Sequence, residues 1–174
     1  MINIFRCRIC GEIYLRFKKP SHCPWCLAPG NYIVLIEEWD LPEYDLSPIE
    51  LGAVSREHLI RVRNMKLDNA QFYRAAAKNS RTRRVICLFK KLSKIEYEHV
   101  EIICKTLGLD KPKLEEVETS LDDTENINDA RRRQIRALNY YSQVVKEVLE
   151  PRVQELFYAF TIIERIVSAE TGAC

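Results

Sequence analysis

Residues 89–108 read FKKLSKIEYEHVEIICKTLG. Apolar side chains recur through this stretch at helical steps, from Ile86 just before it through Phe89, Leu92, Val100 and Ile103. Gly108, with Pro112 beyond it, marks where such a helix stops. Two ionisable residues, Glu96 and His99, interrupt the stripe three positions apart, where the period points them toward the interior.

The same period appears three more times. Ser47-Pro48-Ile49-Glu50 is a helix-start signal: a capping hydroxyl, a proline suited to the first helical position and a glutamate that completes a capping box. A stripe then runs through Leu59, Val62, Met65, Ala70, Tyr73 and Ala76. Another runs through Ile127, Ala130, Leu138, Tyr141, Val145 and Val148. Pro151 opens a last one through Val153, Phe157, Phe160, Ile163 and Val167. Short links near 79–84 and at Glu150-Pro151, with a long acidic connection over 109–124, arrange the four helices as two hairpins. The expected fold is mainly α, a ferritin-like four-helix bundle over 47–174 with one long crossover.

The chain has 174 residues with 30% charged and 47% hydrophobic side chains, enough for one full core and a small module beside it. Five glycines are too few for an all-β chain with frequent turns. The most apolar stretch, Leu156 to Ile163, is far short of a membrane span, and no signal peptide is visible after Met1. A soluble, cytoplasmic protein is the expectation. Charge is unevenly spread: residues 1–35 hold five basic groups and one acidic, and residues 36–50 hold six acidic and no basic ones. With Pro42 and Pro48, the acidic segment 37–46 reads as a linker between a module at 1–36 and the bundle.

Four of the seven cysteines lie in that module, as Cys7-Arg8-Ile9-Cys10-Gly11 and Cys23-Pro24-Trp25-Cys26. Each Cys-x-x-Cys forms a knuckle whose two thiolates point at one centre, and four thiolates suit a tetrahedral ion, either zinc or iron. Gly11 sits where the first knuckle turns tightly, and Arg6, Arg8, Arg16, Lys18 and Lys19 offset the charge of the thiolates. Cys87 and Cys104 read as small apolar residues of the second helix, and Cys174 as a terminal thiol. His22 beside Cys23 reads as a surface histidine, and His58 has no evident role.

Residues 5–35, FRCRICGEIYLRFKKPSHCPWCLAPGNYIVL, resemble the short rubredoxin-like domain of rubrerythrins: a CxxCGxxY knuckle, then CPxC, Ala-Pro and an aromatic strand. Leu27 departs from the pattern, standing where the second knuckle usually has glycine. The resemblance implies one iron cycling between ferric and ferrous on Cys7, Cys10, Cys23 and Cys26.

Each helix also carries a polar residue near its middle: Lys66, Glu96 with His99, Gln134, and Glu164. Four buried polar groups are costly singly, so a shared layer is the better reading. Residues 66–79, 89–108, 126–145 and 150–164 resemble the di-iron domain of rubrerythrins, in the arrangement where the rubredoxin-like domain comes first. That family binds two irons with a glutamate from the first and third helices and a Glu-x-x-His from the second and fourth. Transferred residue by residue, Glu96, His99 and Glu164 match. Lys66 and Gln134 stand where the other glutamates belong, and Val167 replaces the second histidine. Such a layer has lost two carboxylates and gained a cation, and an ammonium 4 Å from a cation costs about 4 kcal/mol per unit of charge at an effective dielectric near 20. The expectation is therefore a degenerate site without a di-iron centre, with Lys66 bridging Glu96 and Glu164 while His99 and Gln134 complete the hydrogen bonds. A single ion on Glu96, His99 and Glu164 is the softer alternative.

The resemblance implies a homodimer and an unidentified redox partner, with peroxide reduction lost alongside the ligands. Two other readings compete. One is a zinc-containing binding protein using the basic residues Arg81, Arg83, Arg84, Lys90, Lys91 and Lys94, with Arg131, Arg132, Arg133 and Arg136. A net charge of only +2 argues against nucleic acid as its partner. The other is a peroxide reductase with a remodelled metal site.

Overall fold

The computed structural model of the chain describes residues 3–39 and 49–172, with the side chains of Ile166 and residues 168–172 outside that description. Three short strands form the N-terminal sheet: β1 (Asn3–Cys7), β2 (Ile13–Arg16) and β3 (Ile33–Leu35). The order is β2-β1-β3 and both pairings are antiparallel. Phe5, Cys7 and Ile33 point inward along the two-residue period, together with Ile9, Ala28 and Tyr32. A single 3-10 turn at Ile36–Glu38 follows β3, and the Arg6 guanidinium lies over the Trp39 ring at 3.8 Å. Of the expected linker, residues 37 and 38 thus belong to this turn, and 40–46 lie outside the described residues.

The rest of the chain forms four helices: α1 (Ala53–Asn79), α2 (Arg83–Leu107), α3 (Asp123–Val144) and α4 (Pro151–Gly172). The chain is mainly helical, and α1 packs chiefly on α2 and α3 on α4, so the bundle consists of two hairpins. An irregular segment between Gly108 and Asp122 joins them. Helix α2 stops at Gly108, whose left-handed φ of 66° lets the Leu109 N–H return to the Cys104 carbonyl at 2.9 Å. Asp122 caps α3, accepting from the Thr124 N–H at 2.7 Å.

Three local expectations are corrected. Helix α1 begins at Ala53, behind Gly52, rather than at Ser47-Pro48; Ser47 and Pro48 lie outside the described residues, and Ile49 and Glu50 are not helical. Glu150 reaches this end of α1 from across the fold, accepting from the Gly52 N–H at 2.7 Å and from the Ser55 hydroxyl. Helix α3 ends at Val144, and its buried positions Ala130, Gln134, Ala137, Tyr141 and Val144 are heptad-spaced, so Leu138 and Val145 sit one position off the seam. Cys87 is exposed, whereas Cys104 is buried as expected; Cys174 lies outside the described residues.

The two parts touch at named contacts. Arg8 pairs with Glu155 at 2.8 Å, Arg152 donates to the Arg8 carbonyl at 2.8 Å, and the Lys94 ammonium lies 4.4 Å from the centre of the Trp25 ring. The four-cysteine face of the sheet module therefore rests on α2 and α4.

Candidate metal centre and the buried polar layer

The two knuckles share one backbone plan. In the first, the Cys7 N–H donates to the Glu12 carbonyl at 3.0 Å and the Gly11 N–H to the Cys7 carbonyl at 2.8 Å. In the second, the Cys23 N–H donates to Ala28 at 2.7 Å and the Leu27 N–H to Cys23 at 3.1 Å. Gly11 has φ 78° and Leu27 has φ 63°, so Leu27 takes the left-handed conformation that glycine takes in the first knuckle. The departure at Leu27 costs about 1–2 kcal/mol of backbone strain and leaves the turn intact.

This plan brings Cys7, Cys10, Cys23 and Cys26 to one point, with all four sulfurs within 4.8 Å of one another. Cys7 and Cys26 are 3.8 Å apart and Cys10 and Cys23 are 3.7 Å apart. Sulfurs about 2.3 Å from a common ion at tetrahedral corners are about 3.8 Å apart, so the donor set fits one metal ion. Protons are unequally held on the thiols. Hydrogen bonds from Cys10, Cys26 and Cys7 hold the Cys23 thiol far below its usual range, while bonding to neighbouring sulfurs and burial push Cys10 and Cys26 far above it. A divalent or trivalent cation would displace those protons and satisfy all four sulfurs together.

The second cluster lies in the bundle. Lys66 of α1 is fully buried, and its Nζ donates to Glu96 Oε2 of α2 at 3.1 Å and to Glu164 Oε1 of α4 at 2.9 Å. Phe160 and Tyr141 face the same ammonium, their ring centres 4.8 and 5.5 Å from Nζ. Burial alone would deprotonate Lys66, but the carboxylates of Glu164 and Glu96 outweigh it and hold the amine charged. Burial pushes Glu96 up to about 7, partly opposed by Lys66 and reinforced by Glu164. Favouring the neutral form of Glu96 lowers the charge held in this dry interior.

Gln134 of α3 and Val167 of α4 are both buried. His99 behaves differently from the expectation that it completes the hydrogen bonds of the layer. Its Nε2–H donates to the Cys26 carbonyl at 3.1 Å, and its ring packs on Phe160 with centres 4.9 Å apart. Burial and the nearby Lys66 charge keep it neutral. Among the described residues the four cysteines are the group of His, Cys, Asp and Glu side chains whose ligand atoms lie within 4.8 Å of one another.

Some contributors escaped the sequence reading. Arg8, Arg152 and Glu155 lock the cysteine module to α4, and Trp25 meets Lys94 of α2. His58 bonds Tyr140 at 2.7 Å and Glu147 at 3.0 Å, a link from α1 to α3 and the turn after it. The His22 ring bonds its neighbour Ser21 at 3.1 Å. The links of Arg8 to Glu155, Trp25 to Lys94 and His58 to Tyr140 and Glu147 have no local sequence signal, because the partners are remote along the chain. Among the described residues no helix is long and apolar enough to cross a membrane. Comparison of the chain with known protein families, with characterised proteins and with solved structures finds no match in any of the three.

Proposed function

We propose that this chain is a one-electron carrier of the rubrerythrin type, in which the cysteine module holds a single iron and the bundle has given up its di-iron chemistry. The observation that carries the reading is the contrast between two ionic environments: four converging sulfurs, and a carboxylate layer with an internal cation in Lys66. Cys7, Cys10, Cys23 and Cys26 would hold the ion, and bound iron supplies a ferric/ferrous couple there.

The surrounding residues support transfer of one charge rather than rearrangement of bonds. Cys7, Cys23 and Cys26 are fully buried and Cys10 is half-buried, and four thiolates would fill the positions of a tetrahedral ion. Trp25, between the two ligands of the second knuckle, reaches the surface and is 37% exposed. His99 anchors the Cys26 carbonyl to α2, so the module is held in one orientation on the bundle. In the layer, the Lys66 ammonium already neutralises the carboxylates that a pair of irons would need, and a further divalent cation meets repulsion instead of charge compensation. The family resemblance further suggests a homodimer as the working unit, which sedimentation would measure.

The test is metal analysis with an absorption spectrum on the protein as purified. One iron per chain, with sulfur-to-iron charge-transfer bands that bleach on reduction, is the expected result. Three metals per chain, two of them without sulfur ligands, would overturn the inactive-layer half. A colourless zinc protein that stays zinc-bound after refolding with excess ferrous iron would overturn the electron-transfer half. Reduced wild-type protein should consume peroxide more slowly than the Lys66→Glu, Gln134→Glu, Val167→His triple variant. Equal rates would show that the layer was never disabled.

A further inference from the structure

A groove of about 530 Å³ lies where the C-terminal half of α1 meets the N-terminal half of α2, with the crossover segment along one side. Its volume is in the range of small-molecule sites. Ala77 and Ser93 are small, and together with Ile86, Tyr97 and Leu114 they leave an apolar slot between the two helices. The hydroxyls that line it are already used: Ser93 donates to the Ala70 carbonyl at 2.8 Å and Tyr97 to the Pro112 carbonyl at 2.9 Å. The floor therefore offers surface for an apolar body and few free polar groups.

Its rim is cationic. Arg74 and Lys78 share the single negative charge of Glu116, at 3.5 and 2.7 Å. Lys90 and Lys94 differ: both are exposed, and neither makes an ion pair among the described residues. They stand four positions apart on α2, so their side chains leave the helix as neighbours, where like charges repel. That arrangement is unfavourable in the free protein and is relieved by one dianion between them. Lys94 is steadied from the other side by the Trp25 ring, which keeps its stem at the edge of the groove.

We propose that this groove is a binding site for a phosphorylated aromatic molecule, with the ring in the slot of Ala77, Ile86 and Ser93 and the phosphate between Lys90 and Lys94. A phosphate carries close to two negative charges at neutral pH, matching the two unpaired cations, whereas a monocarboxylate would neutralise only one. Lys94 at its rim lies against Trp25 of the second knuckle, so its occupant sits beside the cysteine module. The inference holds whichever metal that module takes.

Equilibrium dialysis of the full chain, metal-loaded as purified, against flavin mononucleotide at low salt tests it. One saturable site per chain is expected, with riboflavin and inorganic phosphate each binding at least tenfold more weakly. The exposed double variant Lys90→Glu, Lys94→Glu should lose at least tenfold in affinity with unchanged helix content. Lys18→Glu, Lys19→Glu, the same charge change at two residues that do not line the groove, should bind as wild type does. Absence of saturable binding would overturn the proposal. So would riboflavin binding as tightly as the phosphorylated compound, or equal losses in the two double variants.

Discussion

The cysteine module and the bundle layer are both buried clusters of acidic side chains, and they solve the same electrostatic problem in opposite ways. In the module, four sulfurs lie within 4.8 Å of one another. In the layer, two carboxylates face a lysine whose ammonium is 3.1 and 2.9 Å away. An acidic cluster in a dry interior needs a cation or protons, because isolated ionised groups pay several kcal/mol for leaving water. The four sulfurs of the module could take a metal ion in that role, and the layer meets it with a residue of the chain. Metal dependence should therefore belong to the first region and pH dependence to the second.

Metal removal should produce the largest effect. Structural four-thiolate sites contribute on the order of 10 kcal/mol to folding, so chelation is expected to unfold residues 3–39 while the helices keep their amide protection. Hydrogen exchange reads both regions in one experiment, and a bundle that opened together with the module would break the comparison. Next in size is Lys66→Met, which leaves Glu96 and Glu164 without a cation. A loss of about 3–5 kcal/mol in denaturant unfolding is expected, with the sulfur-bound metal unchanged.

Glu96→Gln tests the raised Glu96 carboxyl. Because the Glu96 carboxyl in the folded chain is pushed up to about 7, above its ordinary 4.5, its contribution to stability is complete below pH 4.5. It is lost as pH rises through about 7, since ionisation then places a second anion in the layer. The glutamine variant should therefore be more stable than wild type at pH 8–9, by about 1–3 kcal/mol, with a flatter pH profile. A wild type whose stability rose over that range would show the opposite sign. The smallest expected effect is Leu27→Gly. Relief of the left-handed backbone should stabilise the metal-loaded module by about 1 kcal/mol, partly offset by the greater freedom of glycine in the unfolded chain.

Legibility in the sequence followed the range of the interaction. The Cys-x-x-Cys knuckles and the left-handed stop at Gly108 depend on residues within five positions of one another, and their geometry is readable without a fold. Helical stripes were legible as elements but not to the residue: α3 uses Ala137 and Val144 where Leu138 and Val145 were expected, because hydrophobicity does not distinguish neighbours on a helix flank. The start of α1 was misplaced because this end of the helix is bonded by Glu150, nearly a hundred residues away, and no local pattern announces such a partner. The polar residues of the layer could be named from their spacing, yet the behaviour of His99 could not.

By itself, then, the amino-acid sequence determined that four thiols gather, that four amphipathic helices form two hairpins, and that one helix carries a lysine among buried acids. Local backbone geometry and periodic burial act over a few residues, and their signals survive in one dimension. Only the tertiary structure decided where those side chains spend their hydrogen bonds. It set Lys66 between Glu96 and Glu164, turned His99 away to the Cys26 carbonyl, and laid Lys94 against Trp25 at the edge of a groove. Each of these choices depends on how the helices and the small sheet pack together, and packing is set by the whole buried surface at once.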